Sequence, residues 1–265
     1  MVDKELQQPH ELRSVAEAFG AEPERYDRAR PRYPDELLER ILSGLPGRRV
    51  LDVGTGTGIL ARQLQALGCD VLGVDPDPRM AEFARRSGVE VDVATFEAWD
   101  AAGRTFDALV SGQSWHWVDP IVGAARAAHV LRPSGRLAVF WNTGTPSEGL
   151  NAPFMDVYRR VLPAALVDRL TPEAIDATYA SLCLRAEDGI RAAGAFGEPE
   201  QWRFEWRQVY TRDAWLDALA TSGNAVPEDR LGELMEGIGA AIDVVGGSFT
   251  MGYLTVAVTA LRVSS

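Results

Sequence analysis

Cysteine, histidine, basic charge and long apolar runs are all scarce in this sequence, and each scarcity removes a class of function. Only two cysteines occur, Cys69 and Cys183, far apart and outside any CxxC spacing. That argues against a disulfide framework and a cysteine-built metal site, and it suits a reducing cytoplasm. The three histidines, His10, His116 and His129, show no ligand spacing, so no metal is expected. No stretch approaches the roughly 20 apolar residues that span a bilayer, so no membrane partner is expected. Met1–Gly20 carries scattered charges and no apolar core. No secretory signal is readable there, and a cytoplasmic location is expected. Lysine and arginine together number 27 against 38 acidic residues, for a formal net charge of −11. Nucleic-acid binders need basic surface to displace counterions from phosphates, so nucleic acid is not an expected partner. The local cluster Arg25, Arg28, Arg30 and Arg32 reads mainly as a solvated helix face.

What is present is a regular alternation. From Pro34 to Asn142, strand-like apolar runs alternate with helical patterns, the signature of βαβ units and a parallel sheet. Strands are expected at Arg49–Val53, Asp70–Asp75, Val89–Val93, Phe106–Ser111 and Arg136–Trp141, the last fed by a turn at Arg132–Gly135. Pro34 opens a helix with Leu37, Leu38, Ile41, Leu42 and Leu45 inward. Leu60, Leu64 and Leu67 mark the inward face of the next helix, stopped by Gly68. Asp119 and Pro120 cap and start a helix expected to bury Ile121, Val122 and Ala125.

Past Asn142 the rhythm changes to helical patterns around Phe154–Leu166 and Pro172–Leu184. Trp202–Tyr210 then alternates, with Trp202, Phe204, Trp206 and Tyr210 on one face. Helices at Asp213–Ala220 and Pro227–Val245 follow, the second with Leu231, Leu234, Met235, Ile238 and Ile242 inward. A strand pattern closes the chain at Ser248–Val263. The expected fold is therefore a doubly wound, mostly parallel, seven-stranded α/β sheet, Rossmann-like, with a helical insertion after strand five. Its segments are 1–33 as an N-terminal lid, 34–142 as the ligand-binding core, 143–200 as the insertion, and 201–265 completing the sheet.

The chemistry concentrates where the first strand ends. Val50-Leu51-Asp52-Val53-Gly54-Thr55-Gly56-Thr57-Gly58 is a buried strand running into three alternating glycines and a helix. Glycines there permit close backbone approach to a ligand and positive φ. Ligands of open α/β sheets bind beyond the carboxyl ends of the strands. A second carboxylate, Asp75, ends strand two 21 residues after Gly54, where nucleoside-binding folds hold ribose hydroxyls. The spacing GxGxG, with Ile59 in place of a third dinucleotide-type glycine, departs from the GxGxxG of NAD enzymes. Asp52 suits a cationic ligand better than a dianionic one.

Four segments, LDVGTGTG, VDPDPRM, Thr95-Phe96-Glu97 and LRPSGRL, together resemble class I S-adenosylmethionine-dependent methyltransferases over residues 34–142. The resemblance implies S-adenosylmethionine as cofactor. It places Gly54, Thr55 and Gly56 at the methionine end, Asp75 on the ribose, and Pro76 and Met80 flanking the adenine. Thr95, Phe96 and Glu97 fall at the adenine edge, and Ser111 to Gln113 under the sulfonium. The upstream run from Tyr26 to Pro34 is similar to a cofactor-capping segment of the trans-aconitate methyltransferase-like branch, with Tyr26, Arg30 and Tyr33 as candidate contacts.

Ser114-Trp115-His116-Trp117 follows strand four at the mouth of the site, and the same branch has a similar aromatic–His–aromatic segment. Trp115 and Trp117 are candidate acceptor contacts, as are Trp141 and Asn142 at the end of strand five. His116 is the candidate catalytic group, as a general base or as a charged anchor for an ionised acceptor. The expected activity is methyl transfer to a small-molecule acceptor at a carboxylate, hydroxyl or heterocycle. The competing readings are an RNA or protein methyltransferase, a nicotinamide-dependent oxidoreductase, and a binding module without turnover.

Overall fold

A computed structural model describes residues 18–147, 149–221, 226 and 228–263 of the chain. The first 17 residues of the expected lid lie outside the described residues. Seven strands form one mixed sheet in the order β3-β2-β1-β4-β5-β7-β6. They are β1 (Arg49–Val53), β2 (Asp70–Asp75), β3 (Glu90–Val93), β4 (Phe106–Gly112), β5 (Leu131–Pro146), β6 (Glu200–Thr211) and β7 (Ser248–Leu261). Neighbours from β3 to β5 pair in parallel. β7 runs antiparallel to both β5 and β6. The order reverses between β1 and β4, so the carboxyl ends of these two strands flank the natural ligand crevice.

The helices are α1 (Pro23–Ala29), α2 (Asp35–Leu42), α3 (Ile59–Ala66), α4 (Pro78–Arg86), α5 (Pro120–Val130), α6 (Asn151–Val161), the single turn α7 (Ala164–Val167), α8 (Pro172–Ala193), α9 (Arg212–Ala220) and α10 (Glu228–Val244). Residues of α2, α3 and α4 (Leu37, Ile41, Leu64, Ala81) pack with one face of the sheet, including Val50, Ala108, Phe140 and Trp202. On the other face, Ala127 of α5 and Ile190 of α8 pack with Leu51, Leu109, Val139 and Trp141. A third cluster joins α6, α9 and α10 through Phe154, Leu219 and Ile238 to Tyr210 and Phe249.

Several expectations change on contact with these coordinates. The turn at Arg132–Gly135 is absorbed into β5, which begins at Leu131. The end of β7 anchors it there: Ser134 N–H donates to Arg262 O and Arg262 N–H to Gly135 O. β5 also continues past Asn142 to Pro146, held by antiparallel pairing that runs to Pro146↔Met251. Residues 143–146 therefore belong to the sheet and not to the helical segment. α8 runs nine residues beyond Leu184, to a left-handed cap at Gly194, φ 61°. The highly charged stretch after Leu184 hides a buried stripe of Ala186, Gly189 and Ile190.

α5 turns a different face inward. Ile121 and Val122 are 60% and 43% exposed, Ala125 is exposed, and Gly123, Ala124, Ala127 and Ala128 are buried. The cause is close approach. A Cβ on Gly123 would stand 2.5 Å from the Val118 side chain, and one on Gly189 of α8 would stand 2.2 Å from Pro120 O. Side-chain size, not hydrophobicity, selects the inward face here. Leu67, expected inward, is half exposed because α3 ends before it. On α10 Leu234, Ile238 and Ile242 are fully buried, while Leu231 and Met235 are partly so.

Candidate active site

One cavity of about 400 Å3 opens at the carboxyl ends of β1, β2 and β4, roofed by the segment after α1. Its floor is the turn Gly54–Gly58. Gly54 has φ 70°, and a Cβ there would meet Ser114 Cβ at 2.4 Å. Gly56 has φ 55°, with nothing within 4 Å of an added Cβ. Gly54 is thus dictated by packing against the segment after β4, whereas Gly56 opens the floor towards a ligand.

Two carboxylates face this floor. Asp52 is 1% exposed and accepts a hydrogen bond from Thr55 Oγ1 at 2.7 Å. Asp75 is 7% exposed and accepts from Gly56 N at 2.8 Å through Oδ2 and from Asp77 N at 2.9 Å through Oδ1. Burial pushes Asp52 up to about 7. It pushes Asp75 up to about 6 against the pull of its two backbone donors. No salt bridge to either carboxylate occurs among the described residues, so each carries a desolvation penalty that a cationic or hydroxyl-bearing ligand would relieve. The Gly56–Asp75 bond ties the two motifs seen in the sequence into one structure.

The walls are largely apolar. Pro76, Met80, Thr95, Phe96, Glu97 and Val118 line the side nearest β2 and β3. Phe96 is packed at 6.3 Å from Trp99 and 6.2 Å from Trp115, ring centroid to centroid. Glu97 Oε1 accepts the Asp119 backbone N–H at 3.0 Å, which fixes the loop that starts α5. Across the cavity stand Tyr26, Arg30, Pro31 and Tyr33 from the roof, with Gln113, His116, Trp117 and Asn142.

The roof is fastened to two parts of the molecule. The Tyr33 backbone donates to Gln63 Oε1 at 3.1 Å and accepts from Gln63 Nε2 at 2.8 Å. Its ring meets Phe140 edge-on at 4.9 Å. Arg62 pairs with Asp27 at 2.5 Å, and Asp217 of α9 pairs with Arg25 at 3.1 Å and Arg28 at 2.9 Å. Arg30 donates to Thr221 O and lies 4.7 Å from the Tyr26 ring centroid.

Asn142 is a junction. It accepts from Thr255 Oγ1 at 2.6 Å through Oδ1, and its backbone O accepts from Gln113 Nε2 and from the Tyr179 hydroxyl, each at 3.1 Å. Gln113 itself takes φ 59°, a left-handed conformation costly for a non-glycine residue and common at functional sites.

Most of the expected site residues come together around this one cavity, but three do not line it. Ser111 is fully buried beneath the floor and donates to Val53 O at 3.0 Å. Trp115 packs in the core behind Phe96. Trp141 is 1% exposed and donates its indole N–H to His116 Nδ1 at 3.2 Å, supporting the histidine from behind. Trp115 opens the 3-10 turn Trp115–Trp117 and is buried between the lining residues Ser114 and His116, and Trp141 precedes the lining residue Asn142 on β5.

Burial alone pulls His116 down to about 4, so the ring is neutral at neutral pH. In the absence of a ligand this burial works against the charged-anchor role. Asp52, Asp77 and Ser114 line the cavity although they stood outside the expected site set. Asp52, two residues before Gly54, carried the signal already read from it, a carboxylate suited to a cationic ligand. Asp77 was hidden by its role as the cap of α4, where it accepts from Arg79 N at 2.9 Å.

A glycine turn at the switch point, two buried strand-end carboxylates and a seven-stranded sheet with one reversed strand define a nucleoside-binding α/β site of the methyltransferase type. The methyltransferase-domain family model matches residues 26–242, and the chain belongs to that family. An uncharacterized methyltransferase of Mycobacterium tuberculosis is 40% identical over 133 residues, 49% of this chain and 54% of the relative. The chain thus spans about half the length of that curated relative. A ubiquinone biosynthesis O-methyltransferase of Xanthomonas campestris pv. campestris is 30% identical over 181 residues, 64% of this chain and 73% of that one. A solved structure from Anaeromyxobacter dehalogenans, described as a type II methyltransferase, superposes with a TM-score of 0.62 at 23% identity. The match covers 89% of this chain and 99% of that one, and it establishes likeness of fold.

Proposed function

We propose that the chain is an S-adenosylmethionine-dependent methyltransferase that modifies a small organic acceptor at a carboxylate, hydroxyl or heterocycle. The observation that carries this reading is the pair Asp52 and Asp75, buried with no salt bridge among the described residues beside a positive-φ glycine turn. Such a site fits a ligand that is cationic at one end and rich in hydroxyl donors next to it. It fits a dianionic pyrophosphate poorly.

S-adenosylmethionine, when bound, supplies a methyl group on a sulfonium, a leaving group that needs no protonation. The protein's part is alignment and exclusion of water. Asp75 retains lone pairs for ribose hydroxyls beyond the two it gives to Gly56 and Asp77. Asp52 complements positive charge at the methionine end. Gly54, Thr55 and Gly56 allow close approach there, and Pro76, Met80, Thr95, Phe96 and Glu97 bound the adenine side. Tyr26, Arg30 and Tyr33 roof the site, with Gln113, Trp117 and Asn142 facing the acceptor.

In this reading the described part of segment 1–33 serves as the roof, 34–142 extended to Pro146 as the cofactor core, the rest of 143–200 as an acceptor-side cover, and 201–265 as the completion of the sheet. The Tyr26–Pro34 run favours the trans-aconitate methyltransferase-like branch, and ubiquinone-type relatives equally favour a small acceptor. The acidic surface weighs against RNA, and none of the described helices is long and apolar enough to cross a membrane. A test is transfer of labelled methyl groups from S-adenosylmethionine to a panel of carboxylic acids, phenols and heterocyclic amines. Stoichiometric S-adenosylhomocysteine with a labelled acceptor supports the reading. Absence of transfer across the panel, with cofactor bound, favours a binding module instead.

A further inference from the structure

His116 lines the main cavity next to Trp117 and Gln113, and its surroundings bear on what it can do there. One ring nitrogen is already committed: Nδ1 accepts the indole N–H of Trp141 at 3.2 Å. An indole nitrogen is a donor only, so Nδ1 must keep its lone pair. In a neutral imidazole the single proton then resides on Nε2. Turning the ring over would leave the Trp141 N–H, which is 1% exposed as a residue, without an acceptor inside the core.

His116 and Trp117 both line the main cavity, with ring centroids 4.7 Å apart, and the nitrogen not bonded to Trp141 is the one left for a ligand there. Behind the ring a void of about 10 Å3 is bounded by Trp115, His116, Trp141, Leu182 and Arg185. The charged groups sharing these two spaces with His116 are Arg185 behind it and Arg30, Asp52, Asp75, Asp77 and Glu97 around the main cavity. None of them is a cause of the displacement of the histidine's ionisation, which is burial alone.

We propose, building on the methyltransferase reading, that His116 serves the acceptor as a neutral hydrogen-bond donor through Nε2–H, with Trp141 as the positioning residue that fixes its tautomer. A general base needs a free lone pair turned to the substrate, and here the lone pair is turned to Trp141. The acceptor that fits is therefore one whose nucleophile reaches the methyl group without giving a proton to His116. A second oxygen or nitrogen on it accepts from Nε2–H. Electrons balance without any protein base: a lone pair of the nucleophile forms the new bond to carbon, and the carbon–sulfur pair returns to sulfur as a thioether.

The test begins without an acceptor, by 15N NMR of histidine-labelled protein loaded with S-adenosylhomocysteine. The expected spectrum shows His116 neutral and protonated at Nε2 from pH 5.5 to 8.5. In Trp141→Phe the same resonance shows a mixture of both neutral tautomers, a change that loss of packing alone would not produce. Titration of His116 within this range in the wild-type protein, or a proton on Nδ1, overturns the proposal.

Benzoate, an aromatic oxyanion, then probes the donor in the loaded protein. It is expected to shift the Nε2–H resonance and to bind at least tenfold more weakly to His116→Ala. His116→Gln, whose amide can still donate into the cavity, is expected to stay within about threefold of wild type. A resonance untouched by benzoate, or equal binding to His116→Ala and wild type, overturns the donor role. Failure to bind S-adenosylhomocysteine at all, read by calorimetry beforehand, strikes the methyltransferase reading and is seen separately.

Discussion

The two halves of the cavity are built on opposite plans. On the side proposed to hold the cofactor, charge is left unpaired among the described residues: Gly56 opens onto space, and Asp52 and Asp75 are buried carboxylates that hold their protons more tightly than usual. On the side proposed to face the acceptor the polar groups are engaged within the protein: His116 with Trp141, and Gln113 and Tyr179 with Asn142. The first half stores binding energy for a ligand of fixed chemistry. On the proposed reading, the second is a preorganised wall whose shape would select the acceptor.

The largest effect that would sharpen this contrast comes from the glycines. Gly54→Ala forces a side chain into the left-handed region, about 1–2 kcal/mol. It also overlaps Ser114, about 1–3 kcal/mol more. Urea denaturation should therefore show a loss of about 2–5 kcal/mol in stability. Gly56→Ala meets no protein atom, so it should cost mainly the backbone term in stability and fall chiefly on cofactor affinity. Similar stability losses in both variants would break the distinction between packing glycine and ligand glycine.

Next in size is Asp75→Asn, expected to weaken cofactor binding by about 1.5–3 kcal/mol, the worth of charge-assisted hydrogen bonds. Asp52 predicts a pH dependence of both binding and stability. Its folded-state value of about 7 lies above the ordinary 3.8, so the folded protein holds this proton more tightly than the unfolded chain. Stability from this group is present below pH 4 and is lost as pH rises towards 7. Asp52→Asn escapes that loss and should melt several degrees higher at pH 8, at about 2–4 °C per kcal/mol. Affinity for a cationic cofactor runs the other way: flat above about pH 8, then falling below 7, more steeply below 6 where Asp75 also protonates. A calorimetric pH series that stays flat down to pH 5.5 contradicts the pairing of these carboxylates with positive charge.

The smallest effect concerns the roof. Asp217→Asn removes partners of Arg25 and Arg28, exposed pairs worth about 0.2–1 kcal/mol each. Stability should barely move, while hydrogen exchange across Tyr26–Tyr33 quickens and cofactor binding slows it again. Unchanged exchange in the variant would mean that the other roof contacts, those of Gln63, Arg62, Phe140 and Thr221, hold it without Asp217.

The same division governs how much of the molecule was legible in its sequence. β1 and β2 have the bounds that periodicity gave them, because a strand buried on both faces reads as an unbroken apolar run. The Gly54–Gly56 turn and Asp75 were readable because backbone geometry demands particular residue types at fixed spacing. α5 was misread because close packing against α8 selects small residues, and no local periodicity carries that information. The support of His116 by Trp141 joins residues 25 apart in sequence, across β4 and β5. Nothing in either segment announces which tryptophan faces the cavity and which stands behind it.

The central claim is that the paired strand-end carboxylates bind S-adenosylmethionine. Its most direct test is isothermal titration of the wild-type protein at pH 8 with S-adenosylmethionine and with NAD, repeated on Asp75→Asn. Saturable one-to-one binding of S-adenosylmethionine is expected, roughly 10- to 150-fold weaker in the variant, with no comparable heat from NAD. Equal affinity for S-adenosylmethionine in both proteins, or tighter binding of NAD, would contradict it.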